Sequence, residues 1–155
     1  MSARSAQEAK TMAEKVYPAI YVFEHSARQV IAAVLTDRVG PDWWERVVPR
    51  RIRQAARDRM QGEEKDPWHG RRGATMIDYT QLTELPGIVG DGDAWPHFAP
   101  IFTRQSFFEE LVNDINVSRR VAAHMNPISS EDVRHLGVAF RKWARTLKAK
   151  QGLIP

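Results

Sequence analysis

The chain contains no cysteine among its 155 residues. Disulfides, thiolate metal sites and cysteine nucleophiles are therefore excluded, and the composition suits a reducing compartment, so a cytoplasmic location is expected. No apolar run approaches membrane-spanning length, and no membrane partner is expected. The first residues, MSARSAQEAK, lack the apolar core of a signal peptide, so no export is expected. There is no convincing strand pair, no internal repeat and no low-complexity segment. Gly90-Asp91-Gly92-Asp93 supplies too few oxygen ligands for a calcium loop and reads as a turn. His25, His69, His97 and His135 lie in separate segments and read as surface or packing residues. No metal site and no cofactor are expected.

What the chain does have is helical periodicity and a surplus of arginine. The length fits one domain able to bury a core. A net charge of +4 is compatible with a polyanionic partner. Residues 3–15 read as a short helix with Ala6, Ala9, Ala13 and Val16 on one side, an outlying arm that Tyr17-Pro18 interrupts. From 17 to about 38, Ile20, Phe23, Ala27, Val30, Ile31 and Val34 make a strong helical pattern. Glu24 shares the line of Ile20, Ala27 and Ile31 and so points inward, with Arg28 one turn on. Two readings of Glu24 stand: a structural ion pair, or a carboxylate holding Arg119 or Arg28 at the edge of an active cleft. Both predict contact between the two helices.

Gly40-Pro41-Asp42 reads as a turn with Asp42 as N-cap of a helix over about 42–60. Its buried face carries Trp44, Val47, Val48, Ile52, Ala55 and Ala56; the other carries Arg46, Arg50, Arg53 and Arg57. That basic stripe is either a solvated face or a phosphate-tracking surface. Residues 61–75 are loop, where Trp68, His69, Arg71 and Arg72 could stack on a base and hold a phosphate. The simpler expectation is that Trp68 pins this loop to the core. Met76–Tyr79 reads as briefly extended, Asp78 with Gln81 as a capping box for a short helix, and Trp95, Phe98 and Phe102 as anchors of a second loop. In the last helix Ser129 is the N-cap, and Val133, Leu136, Gly137, Phe140, Trp143 and Leu147 repeat at helical spacing.

The most informative stretch is 107–127, FFEELVNDINVSRRVAAHMNP. Phe108, Val112 and Ile115 fall on one line of a helix, and the next position on that line is Arg119. A charge on an apolar line must be paired or face a cleft. Asn126-Pro127 disfavours helical angles, so the helix ends near His124, a residue type that trades protons near neutral pH. Arg119 and His124 are five apart and converge only across a helix end or between two copies of the chain. Arg120 and His124 near a helix C-terminus also suit its dipole and can cap free carbonyls.

The segment Arg119-Arg120-Val121-Ala122-Ala123-His124 resembles the hallmark of the HEPN superfamily: an arginine, four to six intervening residues and a histidine at a helix end. Tyr17-Pro18-Ala19-Ile20-Tyr21-Val22-Phe23-Glu24-His25-Ser26-Ala27-Arg28, Gly40-Pro41-Asp42-Trp43-Trp44 and Ile128-Ser129-Ser130-Glu131-Asp132 resemble one branch of it, found in a nuclear RNA-surveillance endonuclease and in bacterial conflict proteins. The resemblance spans roughly residues 17–148. It implies a metal-independent endoribonuclease working as a homodimer on RNA, with Arg119 and His124 catalytic, in a toxin or phage-defence setting with an antitoxin or defence-system partner. The same resemblance allows a non-catalytic module that binds RNA or a partner protein. Many members carry Asn directly after the motif arginine; this chain has Arg120, and Asn116 and Asn126 are candidates to supply the amide.

The expected fold is all-α: an up-and-down bundle of four main helices, with a short N-terminal helix and a short helix in the long middle connection. The expected division is an arm over 1–16, the bundle over 17–148 and a flexible tail over 149–155.

Overall fold

The computed structural model describes residues 2–155. The fold is all-α, and among the described residues there is no strand. Helix α1 (Ala3–Thr11) runs through a π-helical segment (Met12–Val16) into α2 (Tyr17–Arg38). Helices α3 (Trp43–Val47) and α4 (Arg50–Glu63) follow, and α5 (Leu85–Val89) and α6 (Trp95–Phe102) lie in the middle connection. The chain closes with α7 (Gln105–Ala123) and α8 (Ser130–Ala149). Among the described residues no helix is long and apolar enough to cross a membrane.

The expected break at Tyr17-Pro18 is instead a local widening. Proline has no N–H to donate and its ring crowds the carbonyl four residues back. The chain shifts to longer-range bonding, with the Tyr17 N–H on the Met12 carbonyl, and continues as one long rod. None of α1 is buried, so its alanines cover nothing, whereas Val16 in the π segment is fully buried. Just beyond the end of α2, Gly40 turns the chain with a φ of 116° and N–H bonds to the Leu35 and Thr36 carbonyls.

The single helix expected over 42–60 is broken. Val48 precedes Pro49, is pushed to ψ 128°, and separates α3 from α4. Asp42 stands at the N-cap of α3 but makes no side-chain cap; its carboxylate lies 3.5 Å from Arg46. Met76–Tyr79 is not extended but a 3-10 turn. Capping boxes form at Thr75/Asp78 and Gln81/Glu84 rather than at Asp78/Gln81. A Cβ on Gly73 would lie 2.2 Å from that of Asp78, and this close approach lets the Asp78 carboxylate take the Ala74 and Thr75 N–H groups. Trp68 does not pin its loop: it is 80% exposed.

Helices α2, α7 and α8 pack on one another, while α4 packs chiefly on the Met76–Tyr79 turn. The core is centred on Trp143, whose ring meets Phe23, Phe102 and Phe108 at centroid distances of 5.2–6.0 Å. Its indole N–H donates to Ser26 Oγ at 2.8 Å, and that hydroxyl donates to the Phe23 carbonyl, so the buried polar atom is satisfied. Ser129 caps α8 by accepting the Asp132 N–H at 3.0 Å, with Glu131 and Asp132 in the first turn, as expected. Beyond α8, Gln151–Leu153 forms a 3-10 turn, and Ile154 packs against the core.

Candidate functional site

Phe108, Val112 and Ile115 are buried on α7, and Arg119 continues their line to the point where cover runs out. There Arg119 Nε donates to Glu24 Oε1 at 3.1 Å, the contact between helices that the inward Glu24 predicts. The other carboxylate oxygen accepts from Arg28 Nη2 at 3.1 Å, and the same nitrogen donates to the Thr80 carbonyl at 2.9 Å. Glu24 and Arg28 are mostly covered, while the Arg119 side chain is 40% exposed. Glu24 thus makes the expected ion pair with Arg28 and at the same time holds Arg119. Among the described residues neither terminal nitrogen of Arg119 has a hydrogen-bond partner. The triad carries a net positive charge, and Arg28 Nε is buried without a partner.

Arg119 and Glu24 line an open groove of about 950 Å³ between the α1–α2 rod and the end of α7. Its walls are apolar for the most part, with Met12, Ile20, Ala122 and Pro127 among them, and Ser5, Glu8, Tyr17, Tyr21 and Asn126 add polar atoms beside the Glu24–Arg119 pair. Groove size and lining, an apolar cleft with a few convergent polar groups, are those of a ligand site.

Helix α7 ends by a Schellman motif. His124 is the C-cap, Met125 takes the left-handed conformation at φ 54°, and the Met125 and Asn126 N–H groups reach back to the Ala122 and Val121 carbonyls. Glycine is the usual residue at that left-handed position, so Met125 carries a steric cost; its side chain is 89% exposed. His124 is exposed, and among the described residues its ring has no partner. It is not among the groove-lining residues. Among the described residues neither His124 nor Arg120 donates a side-chain hydrogen bond to a free carbonyl, so carbonyl capping does not account for them. Asn126 lines the groove, and Asn116 does not.

No protein family, curated protein or solved structure matches this chain. The chemistry of the site therefore rests on its own geometry and on the residue pattern.

None of Arg46, Arg50, Arg53, Arg57, Arg71 or Arg72 lines the groove. The stripe is divided by the Val48–Pro49 break. Arg46 donates to the Val39 carbonyl at 2.9 Å, and Arg53 binds the Val48 carbonyl and Glu45. Arg50 and Arg57 are exposed, as are Arg71, Arg72 and the neighbouring Trp68 and His69. Among the described residues no group of three His, Asp or Glu side chains is placed to hold a metal.

Two features escape sequence reading. Glu84 and Arg59 form a fork-on-fork pair, 2.8 Å at each contact, joined by Gln81 N–H on Glu84 and Tyr79 carbonyl on Arg59. Burial pushes the Glu84 carboxyl up, but the Arg59 fork and the Gln81 N–H together outweigh it and hold the group below its ordinary value. Beside it Tyr79 donates to Glu63 at 2.7 Å, which raises the phenol and lowers the carboxyl. The second feature is an aromatic ladder on α2: Tyr17 and Tyr21 at 6.4 Å, then Tyr21 and His25 at 4.1 Å. Its signal in the sequence was a spacing of four along one helix.

Proposed function

We propose that this protein is a metal-independent endoribonuclease of HEPN type, with Arg119 and His124 as the catalytic residues of a composite site in a homodimer. The observation that carries the reading is Arg119 itself. It sits at the end of an apolar helix line, held by Glu24 through Nε, with both terminal nitrogens unpaired among the described residues, and it lines a groove one turn from the His124 helix end. The residue pattern of residues 17–148, similar to that of HEPN proteins, adds to it.

In this reaction an RNA 2′-oxygen attacks the adjacent phosphorus and the bond to the 5′-oxygen breaks. The imidazole of His124 takes the 2′-hydroxyl proton, and the partner subunit's His124, in its protonated form, gives a proton to the departing oxygen. The products are a 2′,3′-cyclic phosphate and a 5′-hydroxyl. Acid–base assistance of this kind contributes about 10²–10⁴-fold in rate. Arg119 stabilises the charge that builds on the phosphoryl oxygens, and holding it by Nε leaves the paired terminal nitrogens for two of them. Arg120 adds a second cation where many HEPN proteins have Asn, and Asn126 supplies an amide at the groove. The exposed Arg50, Arg57, Arg71 and Arg72 engage phosphates away from the site. A toxin or phage-defence role with a regulating antitoxin or defence-system partner belongs to the same reading.

A second reading is a non-catalytic module that binds RNA or a partner protein; the observation favouring it is that His124 lies outside the groove of its own chain. One assay separates the two: total RNA in EDTA with wild type, Arg119→Ala and His124→Ala. The nuclease reading expects cleavage by wild type with cyclic phosphate ends, and a loss of about 100-fold or more in each variant. RNA left intact by all three proteins, yet bound equally, sinks the nuclease and leaves the binding module.

A further inference from the structure

Tyr17 and Tyr21 project from one face of α2 with 65% and 50% of their surfaces open. Both line the groove that holds Arg119. Their rings are close to parallel, 25° apart, at a centroid spacing of 6.4 Å. That spacing is within the range of a direct aromatic pair, so the two exposed rings form one stacking surface. His25 packs on the Tyr21 ring at 4.1 Å and supports it.

The charges beside the two rings suit a phosphate. Glu8, the acid on α1 that lines the groove, is engaged by Arg4 at 2.9 Å. Glu24 is shared between two guanidiniums. What remains in the groove is the positive charge of Arg119, whose terminal nitrogens match two oxygens of one phosphate. An aromatic surface beside a cation is the arrangement that holds an unpaired nucleotide, since a duplex keeps its base faces in its own stack.

The geometry points to a base-stacking slot in this groove: an unpaired base stacks on the exposed rings of Tyr17 and Tyr21, His25 backs the Tyr21 ring, and Arg119 binds the phosphate of the same or the next nucleotide. This inference rests on the reading that RNA is the ligand of the Arg119 groove, and it assigns α2 a share in seating the substrate that acid–base chemistry alone does not require.

The test is fluorescence anisotropy with a labelled 2′-O-methyl oligoadenylate, which cannot be cut by 2′-oxygen attack, used as single strand and as duplex with its complement. Tyr17→Ala and Tyr21→Ala should each weaken single-strand binding by about 5- to 150-fold and change duplex binding far less. Tyr17→Phe and Tyr21→Phe keep the ring and should bind within about twofold of wild type. Equal single-strand binding by wild type and both alanine variants overturns the slot, as does an equal loss in the phenylalanine variants. Total RNA in EDTA is scored in parallel. If wild type cuts while the alanine variants bind and cut like it, the slot falls and the nuclease stands. If wild type leaves RNA uncut but Tyr21→Ala loses single-strand binding, the slot stands and the nuclease falls.

Discussion

Glu84 and Glu24 each hold an arginine near the same short segment, and they leave that arginine in opposite states. Arg59 meets Glu84 with both terminal nitrogens at 2.8 Å, and one of them also caps the Tyr79 carbonyl. The fork is used up within the fold. Arg28, attached to Glu24, caps the next carbonyl, that of Thr80. Arg119, however, meets Glu24 through Nε alone; among the described residues its fork has no partner, and the residue lines the groove. A guanidinium gripped by its fork fastens structure; one gripped by Nε is aimed and still able to bind an anion. The same pair of residue types is therefore closed on itself in one region and, in the proposed function, serves recognition in the other.

That contrast is open to direct challenge. The largest effect on stability is expected from Glu84→Gln, which leaves Arg59 without its charge partner. A loss of about 3 kcal/mol should appear as a fall in Tm of about 6–12 °C, with cleavage per folded molecule unchanged. Glu24→Gln should cost less stability, about 1–2 kcal/mol, but lower cleavage by about 10- to 100-fold through a misaimed Arg119. Were Glu24→Gln to cut RNA like wild type, the distinction between fastened and aimed arginines would be lost.

Acid sharpens the comparison further. The folded Glu84 carboxyl lies below its ordinary value of 4.5. A depressed folded pKa contributes stability that is present above the unfolded value and lost as pH falls through the lower folded one. Melts taken from neutral pH downward should therefore show an acid-side loss beginning near 4.5, and Glu84→Gln should flatten it. An acid limb of the same depth in the variant would place the titrating group elsewhere. The smallest change belongs to the helix end beside the groove. Met125→Gly removes the left-handed cost at φ 54° and should stabilise by about 0.5–1 kcal/mol, or about 1–4 °C in Tm. A lower Tm would mean that the exposed side chain contributes packing there.

The pieces of this molecule that could be read from residue order are those that a helix converts directly into a face. The line Phe108, Val112, Ile115, Arg119 and the inward Glu24 follow from 3.6 residues per turn, and the structure joins the two charges. Ser129 as a cap, the buried side of α2 and the all-α class are local in the same sense. Where a neighbour decided the outcome, residue order fell short. Pro18 widened a helix it was expected to end, because a π segment could absorb it. Trp68 stayed in the open, 80% exposed, and residue order in a loop does not say whether anything will cover it. Arg28 and Arg59 found carbonyl partners 52 and 20 residues away, acceptors that every residue carries and no side chain advertises.

By itself, then, the sequence determined which side chains face inward, since periodicity is a property of one helix. Only the tertiary structure decided which nitrogen of each arginine is engaged, because that depends on the distance and angle at which two helices meet. On that choice rests whether Arg119 is a fastening or a site.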